Sequence, residues 1–476
     1  MAIPFRRLIP LLLIASSAFA QLDDATRKLS RDIFQQLIEI NTTDSAGDNT
    51  AAARAMAQRL LDAGYAASDV QVLVPEGRPN KGNLVARLRA SAGGALKPIL
   101  FIGHLDVVEA LRTDWTTDPF KFVEKDGYFY GRGTQDMKSQ DAMLVTTFIR
   151  FKKEGFQPVR DMILALTSDE EGGTANGVDW LLKHHRDLID AEFVLNHDGG
   201  GVCLVHCQAA FMAVDAAEKV YGDFGLTATN PGGHSSLPVP DNAIYELAGA
   251  LTRISQFQFP FELNNTTRAY YEQQVESKKG QRAADIQAIL KNPADLEAVG
   301  RLSKDPIDNS TLHTTCVATR LSGGHANNAL PQTAQANVNC RILPGHSLEE
   351  VRLDLERVVA DPKIKVQFRE ISGALVDHAP DQRGFEPPPP RKEVFDPLNK
   401  VVGEMWPGTP VIIDMATGAS DGKYTNAAGM PTYAVSGVGF DWDDIRAHGK
   451  DERERVDWFL GGVDFYYRFL KRVTAE

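Results

Sequence analysis

Short apolar runs separated by helical segments constrain the fold of this chain more than any other feature of its sequence. We interpret four of these runs as buried strands; they cover Asn83 to Leu88, Ile99 to Gly103, Met162 to Thr167 and Phe193 to Leu195. Segments with helical periodicity lie between them, for example Ser139 to Glu154 and Gly177 to His185. Strands that alternate with helices of this length predict an α/β fold with a mainly parallel sheet.

A second region of the chain, from about residue 212 to 371, follows a different pattern. Alternating β-branched stretches surround two helical stretches and a longer polar helical insertion, at 225–228, 316–321, 334–342, 242–254, 347–359 and about 266–302. Because strands and helices do not alternate strictly here, we predict a small inserted α+β domain. A Pro-rich loop at 387–390 then leads back to the α/β pattern. The first domain is therefore expected to consist of residues 21–211 and 372–476.

The length and charge of the chain limit its partners. With 476 residues it exceeds one ordinary domain of about 100–200 residues and can bury a large core. Its formal net charge is −12, and no basic stripe with interleaved aromatic residues is present in the sequence. We therefore expect no nucleic-acid partner.

The N-terminus has the pattern of a secretory signal peptide. Arg6 and Arg7 precede an apolar run from Leu8 to Ile14, and small residues follow up to Ala20. The run is too short to span a bilayer as a mature helix, and the final A-x-A suits a signal peptidase. We expect removal of residues 1–20, no mature transmembrane segment, and secretion or release into the periplasm. An amphipathic N-terminal anchor is the alternative.

The four cysteines of the chain are Cys203, Cys207, Cys316 and Cys340. They are too few for a disulfide framework and lack the spacing of a zinc knuckle. In an exported protein any of them could be oxidised, for example Cys203 with Cys207, whereas buried free thiols are an equally good interpretation. Both alternatives stay open at this point.

Several side chains that can bind a metal follow the predicted strands or a tight turn. Because the carboxyl ends of parallel strands meet at one edge of a sheet, we expect these side chains to converge. They are His104 after the strand at 99–103, Glu170 and Glu171 after that at 162–167, Asp198 after that at 193–195, and Asp136 after the turn Gly131-Arg132-Gly133. His448 is a further candidate near the C-terminus.

These residue types suit a bridged pair of divalent metal ions. Two ions about 3.5–4 Å apart need a bridging carboxylate and further nitrogen and oxygen ligands, with a water between them as nucleophile. We expect Asp106 to accept the ring N–H of His104, and Glu170 to act as a general base. Each of these residues alone is more often structural; together, at the ends of strands, they favour a metal centre.

Three segments resemble the signature motifs of the M20 metallopeptidase family, namely Phe101 to Val108, Gly131 to Lys138 and Thr167 to Gly173. The resemblance extends over essentially the whole mature chain and implies a di-zinc hydrolase with an inserted lid and dimerisation domain. It assigns Asp136 as the bridging ligand, His104 and Asp198 to one Zn²⁺ site, and Glu171 and His448 to the other. Co²⁺ or Mn²⁺ can occupy such sites as well.

The resemblance also implies roles for residues outside the metal ligands. His234, in Gly232-Gly233-His234-Ser235-Ser236, is similar to a family histidine that reaches the active site of the neighbouring subunit, which implies a homodimer. Asn328 and Arg341 resemble substrate contacts, and Gly418 lies in a segment similar to a Gly-rich loop that lines the substrate pocket. Read without the family, Ser235 and Ser236 would indicate a helix cap, and Arg341 a surface residue.

One ligand departs from a common pattern of the family. Many carboxypeptidase-like members have Glu where this chain has Asp198, and Asp at this position tends to accompany aminopeptidase or dipeptidase activity. The sequence therefore predicts hydrolysis of amide bonds in short peptides, with N-acyl-amino-acid hydrolysis or carboxypeptidase activity as alternatives. A non-catalytic periplasmic binding protein is a third hypothesis, although such a protein has no need for Glu170 and the full ligand set.

Overall fold

The computed structural model describes residues 22–91, 96–205, 208–277, 279–381 and 387–475. The predicted signal peptide, residues 1–20, and Cys207 lie outside the described residues. The strands are β1 (Val70–Leu73), β2 (Asn83–Leu88), β3 (Ile99–His104), β4 (Val123–Lys125), β5 (Tyr128–Tyr130), β6 (Met162–Thr167), β7 (Phe193–Asn196), β8 (Gly201–Val205), β9 (Gln208–Glu218), β10 (Val220–Thr229), β11 (Gly233–His234), β12 (Thr315–Gly323), β13 (Ala329–Leu330), β14 (Thr333–Ile342), β15 (Ile364–Arg369), β16 (Leu375–Val376), β17 (Val411–Ala416), β18 (Thr432–Ala434), β19 (Gly439–Asp441) and β20 (Arg453–Arg455). The helices are α1 (Asp24–Glu39), α2 (Asn49–Asp62), α3 (Lys138–Glu154), α4 (Gly177–His184), α5 (Arg186–Ile189), α6 (Ala243–Gln256), α7 (Asn265–Ser277), α8 (Gln281–Lys291), α9 (Leu296–Leu302), α10 (Pro306–Leu312), α11 (Leu348–Val359), α12 (Lys392–Met405), α13 (Gly422–Ala427) and α14 (Val456–Val473).

A ten-stranded sheet forms the centre of the molecule and confirms the predicted α/β fold. Its order is β1-β2-β6-β3-β7-β18-β9-β8-β19, with β17 paired to β9. The four adjacent strands β6, β3, β7 and β18 run parallel to one another, and β2 and β9 flank them in antiparallel orientation. The strands predicted at 83–88 and 162–167 have the expected bounds, while β3 and β7 each extend one residue further, to His104 and Asn196.

Helices cover both faces of this sheet, which explains why its central strands are apolar without alternation. Every residue of β3, β6 and β7 is buried. Since side chains alternate across a strand, Phe101 packs into a core with α1, α3 and α14, whereas Leu100 and Ile102 pack into a second core with α4 and α5. The strand ends are thereby fixed between two layers of helices.

The predicted α+β region contains a separate antiparallel sheet of order β12-β14-β10-β15-β16. Helices α6 and α11 pack on it and enclose a core of its own. The polar helical insertion consists of α7, α8 and α9, which share a small core with α10 and contact β17 through α7. The domain boundaries stay a prediction; β9 continues in the large sheet as far as Glu218, beyond the predicted boundary at residue 211.

A disulfide joins Cys316 on β12 to Cys340 on β14, and the two residues are direct partners across the strands. Cys203 is a free, buried thiol, which agrees with the buried-thiol alternative for this residue. The sequence could not identify the true pair because only the register of β12 against β14 brings these two cysteines together. The disulfide therefore links the edge strand β12 covalently to its neighbour β14.

We expect the double substitution Cys316→Ala/Cys340→Ala to lower the free energy of unfolding by about 3 kcal/mol. The two cysteines are 24 positions apart in the sequence, and closing a loop of this length lowers the entropy of the unfolded state enough to account for this difference. Urea denaturation under oxidising conditions measures the difference, and wild-type protein treated with a reductant should match the variant. Equal unfolding midpoints for oxidised wild type and variant would contradict the prediction.

Among the described residues, no helix is both long enough and apolar enough to cross a membrane.

Candidate metal centre

The candidate site lies where three adjacent parallel strands end. His104 is the last residue of β3, Glu170 and Glu171 follow β6, and Asp198 follows β7. Because β3 pairs with both β6 and β7, the segments that leave these strands emerge side by side. The side chains that the sequence predicted to converge therefore lie together at this edge of the sheet.

Asp136 reaches this edge from a tight turn that precedes α3. Gly133 has a φ of 90°, and a Cβ at this position would lie 2.9 Å from side-chain atoms of Lys138 and Val107. A residue with a side chain would therefore be strained and would collide with its neighbours. Glycine allows the turn to pack closely and places Asp136 just before the start of α3 at Lys138.

The carboxylate of Asp136 lies between two imidazole rings. Its Oδ1 is 3.1 Å from Nε2 of His104, and its Oδ2 is 3.1 Å from Nε2 of His448. On the far side, Nε2 of His448 is 2.8 Å from Oε1 of Glu171. Each carboxylate oxygen of Asp136 therefore faces a different histidine, the arrangement required of a ligand that bridges two ions.

Two overlapping groups of potential ligand atoms surround this carboxylate. The atoms of His104, Asp136 and Glu171 lie within 4.8 Å of one another, and so do those of His104, Glu170 and Asp198. Together with the contacts of His448, the structure brings all five predicted ligands and Glu170 into one cluster. Asp198 lies in one group with His104, while Glu171 contacts His448 and also lies in a group with His104, so the division of the ligands into two sites stays a prediction.

The charges in the cluster favour occupation by cations. Burial, followed by the charge of Asp198, raises the pKa of Glu170 to about 10. Burial and the charge of Asp136 likewise hold the pKa of Asp198 well above its usual range. For Asp136, burial raises the pKa, but hydrogen bonds from His104 and His448 outweigh burial and lower it. Four crowded carboxylates and two imidazoles form a nitrogen and oxygen donor set that fits two divalent ions such as Zn²⁺, Mn²⁺ or Co²⁺.

Asp106 supports this cluster through two different groups. Nδ1 of His104 donates to the main-chain carbonyl of Asp106 at 3.0 Å, while the Asp106 carboxylate lies farther away, at 3.7 Å. The acceptor thus differs from the carboxylate that the sequence suggested. The carboxylate instead accepts the main-chain N–H groups of Glu170 at 3.1 Å and Glu171 at 3.0 Å. Asp106 therefore orients the His104 ring and also positions the loop that carries both glutamates.

Glu452 is a supporting residue that the sequence analysis did not assign. It is fully buried, and its carboxylate accepts N–H groups of Gly133 at 3.0 Å, Gln135 at 2.7 Å and Asp136 at 3.0 Å, as well as Nη1 of Arg132 at 2.6 Å. Arg132 also donates to the main-chain carbonyl of His448 at 3.3 Å. The pair links the turn before α3 to the His448 segment. The acidic pair Asp451-Glu452 that follows His448 was the available signal in the sequence.

We expect Glu452→Ala to destabilise the protein by about 3–5 kcal/mol, because Arg132 would remain buried without its counter-charge. Urea denaturation of wild type and variant measures this difference. The double variant Arg132→Ala/Glu452→Ala should cost less than the sum of the two single variants. Strictly additive effects would show that the pair does not act as one unit.

The remaining predicted residues lie in three different places. Gly418 lines a cavity that Asp198 also lines. His234 lies on β11 opposite Ala329 of β13, and the main-chain carbonyl of Asn328 accepts the N–H of Ser235. Arg341, on β14, places its guanidinium over the ring of Tyr221. Within the described part of this single chain, no hydrogen bond or ion pair joins His234, Asn328 or Arg341 to the metal ligands, so their roles stay predictions.

Comparison with known proteins identifies the family. The model for peptidase family M20/M25/M40 matches residues 100–472 of the chain. The chain belongs to this family. Proteins similar to it include an aminoacylase and a dipeptidase, and the chain is accordingly a metallopeptidase or amidohydrolase.

The names of individual M20 relatives indicate different substrates. Human N-fatty-acyl-amino acid synthase/hydrolase PM20D1 is 26% identical over 392 residues, which cover 80% of this chain and 75% of the relative. An M20 family metallo-carboxypeptidase from Sulfolobus solfataricus superposes with a TM-score of 0.67 at 15% identity, covering 94% and 99% of the two chains. The Bacillus subtilis YXEP protein, a dinuclear metal binding peptidase of the M20 family, superposes with a TM-score of 0.56 at 10% identity, covering 95% and 99%. The two structural likenesses support the fold.

Proposed function

We propose that this M20 enzyme hydrolyses amide bonds in short peptides with the help of two bound divalent metal ions, zinc by preference. The observation that carries the proposal is the Asp136 carboxylate between His104 and His448, with further carboxylates beside each histidine. His104 and Asp198 would hold one ion, Glu171 and His448 the other, and Asp136 both. Such ions would polarise the substrate carbonyl, lower the pKa of a water between them, and offset the negative charge around Glu170.

The protein's own residues then move the proton. Glu170 lies beside Asp198 and His104 and is mostly buried, so its carboxylate is a stronger base than one exposed to water. We assign Glu170 to accept a proton from the attacking water and to deliver it to the nitrogen of the leaving amine. Asp106 keeps Glu170 in place by accepting its main-chain N–H.

His234 would complete the site from a second subunit. It is exposed on the β11–β13 ribbon, and its Nδ1 accepts the main-chain N–H of Ser236 at 3.2 Å, so that Nε2 carries the ring proton and can donate. A histidine in this position could stabilise the oxyanion that forms on the substrate carbonyl. This role requires a homodimer, and Asn328 and Arg341 are proposed as substrate contacts in the same assembly. Export to the periplasm or medium is proposed from the N-terminal segment alone.

The identity of Asp198 favours peptides with a free amino end as substrates. N-acyl amino acids are the second candidate class, and the name of the human relative PM20D1 supports it. A screen of metal-loaded protein should include dipeptides, longer peptides with free or blocked ends, and N-acyl amino acids. We expect the highest kcat/KM for short peptides with a free amine. Exclusive cleavage of N-acyl amino acids would reject the peptide proposal, and no amide hydrolysis at all would reject the function as a whole.

A further inference from the structure

A cavity of about 170 Å³ opens beside the metal centre on the side of Asp198. It lies among the ends of β7, β9, β17 and β18, and its lining includes Asn196, Asp198, Asp215, Glu218 and Ser420. An apolar cavity of about 150 Å³ can hold a benzene molecule, so this one has room for a group of several heavy atoms. Because Asp198 belongs to both the cluster and the cavity, a group bound here would be next to the reacting bond.

Negative charge in this cavity is only partly compensated. Glu218 is 8% exposed; its Oε2 accepts the N–H and Oγ–H of Ser420 at 2.7 and 2.8 Å, whereas its buried Oε1 has no hydrogen-bond partner. Asp215 accepts one hydrogen bond, from the N–H of Gly200 at 2.7 Å. A buried carboxylate oxygen without a donor is costly, so the cavity is suited to a ligand that brings donors.

The cavity also lacks a positive partner of its own. None of the described residues that line it is a Lys or an Arg. The charge of Lys423 acts on Glu218, but Lys423 does not line the cavity. Burial raises the pKa of Asp215 and that of Glu218 to about 7 each, as expected for carboxylates that are not neutralised by a cation. A ligand with a positive charge would supply both carboxylates with the counter-charge that they lack.

We propose that Asp215 and Glu218 bind a protonated amine of the substrate, either its N-terminal ammonium or a basic side chain next to the cleaved bond. This inference rests on the proposed function, since it places a charged part of the peptide beside the metal centre. The amine would donate to Oε1 of Glu218 and to the carboxylate of Asp215, and charge-assisted hydrogen bonds of this kind are among the strong ones. The cavity would therefore select substrates by charge.

Two matched pairs of dipeptides test the proposal on the intact, metal-loaded enzyme. Ala-Ala against N-acetyl-Ala-Ala varies the N-terminal ammonium, and Lys-Ala against norleucine-Ala varies the side-chain charge at nearly constant shape. We expect kcat/KM to be at least about tenfold higher for the charged member of one pair, mainly through KM. The pair that shows the preference identifies the source of the amine.

Conservative variants then test whether the cavity causes the preference for the charged dipeptide. Asp215→Asn and Glu218→Gln keep acceptors for Gly200 and Ser420, and each should reduce the preference about tenfold while hydrolysis of the uncharged member is retained. Asp396→Asn is the matched control, because Asp396 is exposed on α12 and does not line the cavity; its preference should equal that of wild type. Thermal midpoints close to wild type exclude misfolding as the cause.

Failure of this inference is distinguishable from failure of the proposed function. The ammonium site is overturned if wild type hydrolyses both members of each dipeptide pair equally well. It is also overturned if both cavity variants keep the preference for the charged member. In either case the proposed peptide hydrolysis stands. Activity that depends on added Na⁺ or K⁺, with no preference between dipeptides, also overturns the ammonium site, because an inorganic cation would then fill the cavity. Absence of hydrolysis for every peptide overturns the proposed function itself.

Discussion

Glu170→Gln is expected to lower kcat by about 10³-fold while leaving metal binding intact. The amide keeps the size of the side chain and its main-chain hydrogen bond to Asp106, but it cannot take a proton from water. General base catalysis contributes about 10²–10⁴-fold to such reactions, and the buried position of Glu170 beside Asp198 suits this role. Steady-state kinetics on the best peptide substrate, combined with metal analysis of the same sample, measures the effect.

An exposed glutamate provides the control for this experiment. Glu76 is exposed on the surface and is not among the clustered ligand residues, and Glu76→Gln should leave kcat and metal content at the wild-type values. If Glu170→Gln retained most of its kcat with both ions bound, a different residue would have to act as the base. Loss of metal in the Glu170→Gln variant would instead make Glu170 a ligand.

Removal of metal is expected to abolish hydrolysis and to lower the stability of the folded protein. An ion at a concentration 1,000 times its Kd stabilises the folded state by about 4 kcal/mol, and this contribution disappears with the ion. The loss also leaves the carboxylates of Asp136, Glu171 and Asp198 close together without the positive charge of the ions. Activity and urea denaturation should be compared before chelation, after chelation and after reloading with Zn²⁺, Mn²⁺ or Co²⁺.

The effect of chelation should depend on the bridging carboxylate. In Asp136→Ala the two histidines lose their common partner, so we expect little bound metal, no activity, and no further loss of stability when the chelator is added. Wild-type protein should recover its activity on reloading. Full activity of chelated wild type would show that the reaction does not need the ions, and would contradict the proposed mechanism.

Strand positions and the convergence of the ligand side chains could be predicted from the sequence, because a local pattern determines each of them. The strands at 83–88 and 162–167 were predicted at their observed bounds because apolar runs of that length must be buried between helices. The convergence of His104, Glu171 and Asp198 followed from the rule that parallel strands end at one edge. These predictions needed no knowledge of side-chain positions.

The parts that the sequence did not predict depend on contacts between distant segments. Glu452 supports Asp136 across more than three hundred residues, and only the folded chain shows that its carboxylate caps the turn before α3. The partner of Cys340 depends on the register of β12, and the acceptor for His104 is a main-chain carbonyl. The cavity at Asp215 and Glu218 forms where four strands end together, so residue types alone give no sign of it.

The number of metal ions bound per chain tests the central claim most directly. Metal analysis of wild-type protein after loading and removal of loosely bound ions should give about two ions per chain, as a site bridged by Asp136 requires. His448→Ala should reduce the number to about one, because we propose that His448 holds only the ion that it shares with Glu171. A wild-type protein that binds no ion after loading, or the same number as the His448→Ala variant, would contradict the two-metal centre.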